Sequence, residues 1–95
     1  MNKRTQIIQS NLFAKQKKKL HKQQIKDLDN AVRTVVDNPE IGNMKTGDLS
    51  GVRVYKFRSM KSLILMAYEL VDYDTLCLYA VGSHENFYQK LKILR

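Results

Sequence analysis

The stretch Ser62–Val71, "SLILMAYELV", decides the fold. Its centre, Leu63-Ile64-Leu65-Met66-Ala67, is an almost continuous apolar run with no polar face, which suits a central strand buried on both sides. Working outward, Val52–Arg58 alternates, with Arg53, Tyr55 and Phe57 on one face and Val54, Lys56 and Arg58 on the other. On the far side, Asp72-Tyr73-Asp74 makes a turn and Thr75–Val81 repeats the apolar pattern. Strands this close in sequence pair with their neighbours, so the three predict an antiparallel meander.

Upstream, Arg4–Gln9 reads as a short strand whose apolar residues are Ile7 and Ile8. Ser10 or Asn11 then caps a first helix, because either side-chain oxygen can accept from the free amides of a first turn. Leu12, Phe13, Gln16 and Leu20 lie along one side of that helix, and Lys15, Lys17, Lys18 and Lys19 fill the rest. From Gln23 to Asp37, Ile25, Leu28, Val32, Val35 and Val36 recur at helical spacing and predict a second helix with one stripe on a sheet. Asn38-Pro39 ends it, since the residue before proline is pushed out of helical geometry. Glu40–Gly51 holds Gly42, Gly47 and Gly51 and reads as a long loop, while Asn86–Leu94 can form a last short helix with Phe87, Leu91 and Leu94 inward. The expectation is one α+β domain over residues 1–95, ordered β-α-α-β-β-β, with a helical pair on one face of an antiparallel sheet and a short C-terminal helix.

Composition bounds the partners. Seventeen Lys and Arg against nine Asp and Glu leave +8 at neutral pH and a pI near 9.8, which favours a polyanionic or acidic partner. Cys77 is the only cysteine and lies in the apolar Leu76-Cys77-Leu78, so it reads as a core thiol of a protein in a reducing cytoplasm. No apolar stretch reaches the roughly 18 residues of a membrane span, so no membrane partner is expected. Two histidines and one cysteine, far apart, give no zinc spacing, and neither a glycine-rich phosphate loop nor a nucleophile elbow is present. Neither a metal nor a cofactor is expected.

The segments "GDLSGVRVYKF", "MAYEL" and "VGSHENFY", in this order and at this chain length, resemble the RelE/ParE superfamily of toxins from bacterial toxin-antitoxin pairs. Leu49 and Gly51 match its Leu-x-Gly before the first meander strand, Tyr55 and Lys56 its aromatic-basic pair, and Tyr68 the tyrosine closing its central strand. Gly82 and Tyr88 fit its strand exit and C-terminal aromatic. The resemblance implies a cognate antitoxin, with operator DNA bound only through the toxin-antitoxin complex. It leaves two activities open: a ribosome-dependent endoribonuclease (mRNA interferase) that cuts messenger RNA and stops translation, or a non-enzymatic inhibitor of DNA gyrase of the ParE type. His84, two residues after the strand-end glycine, resembles the arrangement in histidine-using messenger RNA cleavers such as YafQ-type toxins.

Metal-independent RNA cleavage needs a base for the 2′-hydroxyl, cations for the phosphorane charge, and an acid for the leaving oxygen. His84 is the candidate acid or base, since imidazole titrates near neutrality, although a capping histidine would look the same in sequence. Lys56 and Arg58, pointing the same way from one strand, are the candidate cations, and Tyr88 is a candidate to stack on a base. The superfamily often carries an arginine where this chain has Leu65, so under this reading Lys56 or Arg58 must supply that charge. Arg53, Lys15, Lys18, Lys19 and Lys22 are candidates to grip RNA phosphates, with a solvated surface as the alternative for each. His21, at the junction of the helices, reads as structural, and Asp48 and Glu85 are the acids near His84.

Overall fold

The computed structural model describes residues 6–83 and Phe87. Strand β1 (Gln6–Gln9) leads into helices α1 (Asn11–Lys18) and α2 (Lys22–Asp37), followed by the two-residue strand β2 (Asn43–Met44), a 3-10 turn at Gly47–Leu49, and strands β3 (Arg53–Ser59), β4 (Ser62–Asp72) and β5 (Thr75–Ser83). The sheet runs β1-β5-β4-β3-β2. The expected meander is antiparallel, β3 against β4 and β4 against β5. β1, however, joins β5 in parallel, so the sheet as a whole is mixed. The helical pair carries the chain from β1 to the far side of the sheet, where β3 runs parallel to β1, and the meander then returns to place β5 beside β1. The fifth strand, β2, lies within the stretch read as loop, where two residues bind the start of β3. The strand expected over Arg4–Gln9 is described only from Gln6, and the expected helix over Asn86–Leu94 lies outside the described residues except for buried Phe87.

β4 is central and buried on both faces. Ile64, Met66 and Tyr68 join Phe13, Leu28, Ala31, Val35, Leu76, Leu78 and Val81 in a core under the helices. Leu65 and Ala67 face the other way, into a second cluster with Leu49, Val52, Val54, Ala80 and Phe87. Sheets need cover on each apolar face, and the 3-10 turn and Phe87 supply the side away from the helices. A bulge keeps β5 in step with this division. Ala67 pairs with Ala80 and Tyr68 with Leu78, so Tyr79 is the extra residue, and Leu78 and Val81 both face the helices although three apart.

The helices begin where their caps dictate. The Ser10 hydroxyl accepts from the Phe13 amide at 2.9 Å and donates to the Tyr79 carbonyl at 2.7 Å, so one side chain starts α1 and fastens it to β5. His21 caps α2: its Nδ1 accepts from the Gln23 amide at 3.1 Å, and its own amide donates to Gln24 Oε1 at 3.0 Å. Gln16, assigned above to the apolar side of α1, accepts from the Val81 amide at 2.9 Å and so serves the strand just past the bulge.

Candidate nucleic-acid interface

The loop before β3 is held by two side chains of the sheet. The Tyr68 hydroxyl, fully buried, donates to the Pro39 carbonyl at 2.7 Å and accepts from the Gly42 amide at 2.9 Å. Only glycine fits at residue 42, because a Cβ there would stand 2.7 Å from the Tyr68 oxygen. Burial pushes the Tyr68 phenol above its ordinary pKa, against smaller opposing pulls from the Gly42 amide and the Arg53 charge. Arg53 Nη1 donates to the carbonyls of Gly42 at 2.8 Å and Glu40 at 3.2 Å, so the guanidinium proposed for RNA contact also ties down this loop.

On the face away from the helices, the register forms a row across three strands. Lys56 stands opposite Leu65, and Leu65 opposite Gly82. Arg58 follows on β3 opposite Leu63, and both cations are exposed. Leu65 itself has no exposed surface and packs in the second cluster. Glu69, further along the same face, accepts from the Tyr79 hydroxyl at 2.7 Å. Burial pushes the neighbouring Cys77 thiol up, with a Tyr79 hydrogen bond pulling down and the Glu69 charge adding to the rise. This thiol is half-buried rather than enclosed.

Lys15, Lys18, Lys19 and Lys22 are all exposed, clustered from the end of α1 to the first position of α2. No acidic residue stands in the first turn of α2, so Lys22 adds to the positive end of that helix's dipole. His84, Glu85 and Tyr88 lie outside the described residues, and Asp48 is exposed in the 3-10 turn. Among the described residues, no group of three or more His, Cys, Asp or Glu could hold a metal ion. No described helix is long and apolar enough to cross a membrane.

The family model of the ParE-like toxins, described as the ParE-like toxin of type II bacterial toxin-antitoxin systems, matches residues 7–92. The chain belongs to that family. This toxin shares its fold with a chain of the intact E. coli RelBE toxin-antitoxin complex, at 20% identity and TM-score 0.69, over 84% of this chain and 96% of that one. A doubly substituted E. coli RelE in the free state aligns at 18% identity and TM-score 0.72, over 96% of this chain and 90% of that one. The same mutant bound to an antitoxin RelB peptide aligns at 20% identity and TM-score 0.68, over 84% and 83% respectively. A search of curated proteins finds no match.

The toxin also has a cavity that the sequence reading did not find. Asp27, Asn30, Ala31 and Thr34 of α2 face Tyr55, Phe57 and Arg58 of β3 across about 190 Å³. The spacing of 27, 30, 31 and 34 is a helical stripe of its own, but it is mostly polar, and a polar helical stripe carries no local mark of a cavity. Only the register of β3 brings the aromatic pair beneath it.

Proposed function

We propose that this toxin is a ribosome-dependent endoribonuclease that cleaves messenger RNA by metal-independent acid-base chemistry, and that a cognate antitoxin neutralises it. The observation that carries the reading is the row Lys56-Leu65-Gly82, with Arg58 beside it. Lys56 is exposed on this face, Arg58 is exposed beside it on β3 and also reaches the α2 side of the sheet, and β5 ends at Ser83, one residue before His84 in sequence. Cations aimed at non-bridging oxygens stabilise the phosphorane, and His84 supplies the proton step, as in the YafQ-type arrangement that its sequence context resembles. Tyr88 stacks on a nucleotide. Lys15, Lys18, Lys19, Lys22 and Arg53 contact phosphates, so ribosome binding should weaken steeply with salt. RelE structures with RelB support an antitoxin as the protein partner; under this reading, operator DNA is bound only through the toxin-antitoxin complex.

Leu65 favours a second reading. Where the superfamily often has an arginine, this chain has a fully buried leucine, which fits a ParE-type inhibitor of gyrase that binds without cutting. Induction of wild type, Lys56→Ala and His84→Ala at matched soluble levels, with messenger RNA ends mapped in translating extract, separates the two. New ends that require ribosomes and vanish in both variants support cleavage. Growth arrest with intact messages and a DNA-damage response supports the inhibitor.

A further inference from the structure

The cavity between α2 and β3 lies on the helix side of the sheet, away from the row of Lys56 and Leu65. Its sheet wall is aromatic: the rings of Tyr55 and Phe57 lie 23° from parallel with centroids 6.2 Å apart, and both are half-buried, leaving ring surface open. Its helix wall is polar, formed by Asp27, Asn30 and Thr34. At one end Ser59, almost completely buried, donates to Asp27 Oδ2 at 2.6 Å, while Gln23 Nε2 donates to Asp27 Oδ1 at 3.2 Å. The Thr34 hydroxyl donates to the Asn30 carbonyl at 3.0 Å. Arg58, which follows Lys56 on β3 where that strand is the edge of the sheet, also lines this cavity and stands at its rim. Lys22 and Lys26 precede Asn30 and Thr34 at four-residue intervals, so exposed cations continue the same helical row away from the cavity.

We propose that this cavity is a subsite for one unpaired nucleobase of a single-stranded RNA, stacked on Tyr55 and Phe57, with the flanking phosphates outside on Arg58, Lys26 and Lys22. The ligand class rests on the RNA reading given above; the position and orientation rest on the cavity. The Asp27 carboxylate decides which part of a nucleotide enters. Its negative charge repels a phosphate but accepts from an exocyclic amino group, and the Asn30 amide can both donate and accept. Aromatic stacking is indifferent to sequence, whereas the polar wall is not. Bases with an amino edge, adenine, cytosine and guanine, are therefore preferred over uracil. A base pair cannot enter, because both ring faces and one edge must be free.

The test uses the full chain and a six-nucleotide single-stranded RNA carrying one 2-aminopurine, whose fluorescence falls on stacking. Quenching is expected with wild type and not with the same RNA in a duplex. Tyr55→Leu and Phe57→Leu should each weaken binding about five-fold or more, as stacking worth roughly 1–3 kcal/mol per base requires. Asn30→Ala, on an exposed helical position, guards against misfolding as the explanation and should reduce the preference over an all-uracil hexamer. Equal affinity for duplex and single strand, or unchanged quenching in both aromatic variants, overturns the proposal. Binding retained in a protein that makes no new message ends leaves the subsite standing and removes the nuclease reading. Ribosome-dependent ends with no quenching in the hexamer do the reverse.

Discussion

The Tyr68 hydroxyl and the Gly42 amide are 2.9 Å apart, and there is no space between them for a Cβ. This pair, with Pro39 accepting at 2.7 Å, holds the segment between α2 and β3 on the end of the core. Tyr68→Phe leaves the buried Gly42 amide without its acceptor and should cost about 1–3 kcal/mol. Gly42→Ala must displace the ring or the loop and should cost a similar amount, about 1–3 kcal/mol. Chemical denaturation of the two variants and their combination checks both. A double variant no worse than the worse single one indicates that both act through the same contact.

The same buried phenol sets a pH dependence. The unfolded tyrosine loses its proton near pH 10, roughly, while the folded one holds it to higher pH. Between those values the folded state carries a proton that the unfolded state lacks. Its contribution is therefore complete below about pH 10 and is lost as pH rises through the folded value. Stability measured from pH 8 to 11.5 should fall more steeply for wild type than for Tyr68→Phe, and identical slopes would contradict the assignment.

The β3–β4 hairpin turns at Met60 and Lys61, which have φ of 51° and 70°. Two consecutive residues with positive φ suit the tight primed turn whose twist matches paired strands, but such turns normally use Asn and Gly. Placing side chains there costs roughly 1–2 kcal/mol per residue, against a smaller entropy cost for glycine. Lys61→Gly should therefore stabilise the fold by about 0.5–1 kcal/mol. A rise in thermal midpoint with unchanged cooperativity is the expected readout; a fall would show that the Lys61 side chain makes a contact worth more than the strain.

How far these features could be read in the chain depends on whether a local signal carries them. The apolar run Leu63–Ala67 announced a two-sided strand, and the periodic valines of α2 announced a packed helix, because burial writes a pattern directly into composition. His21 could be assigned a structural place from its position between helices, and it is a cap. The parallel pairing of β1 is a long-range choice made with β5, and four residues carry no mark of direction. β2 is too short to show alternation, and the Met60-Lys61 turn lacks the usual residues. In the candidate site, alternation placed Lys56 and Arg58 on one face, but nothing local showed that Tyr55 and Phe57 would meet Asn30 and Thr34. That meeting depends on how α2 lies against β3.

Leu65 gives the sharpest test of what the site face can tolerate. It has no exposed surface, its cluster neighbours are apolar, and its partner in register on β3 is Lys56, a like charge for any cation placed there. Leu65→Arg, which installs the residue that the superfamily often has, should bury an uncompensated charge and cost more than about 3 kcal/mol. Leu65→Met keeps the volume and should cost under about 1.5 kcal/mol. If both behave so, this position is core, and any phosphate-stabilising charge must come from Lys56 and Arg58 at the edge. If Leu65→Arg folds with near wild-type stability and gains cleavage in translating extract, the face opens readily to solvent. Leucine at this position then limits activity rather than supporting the fold.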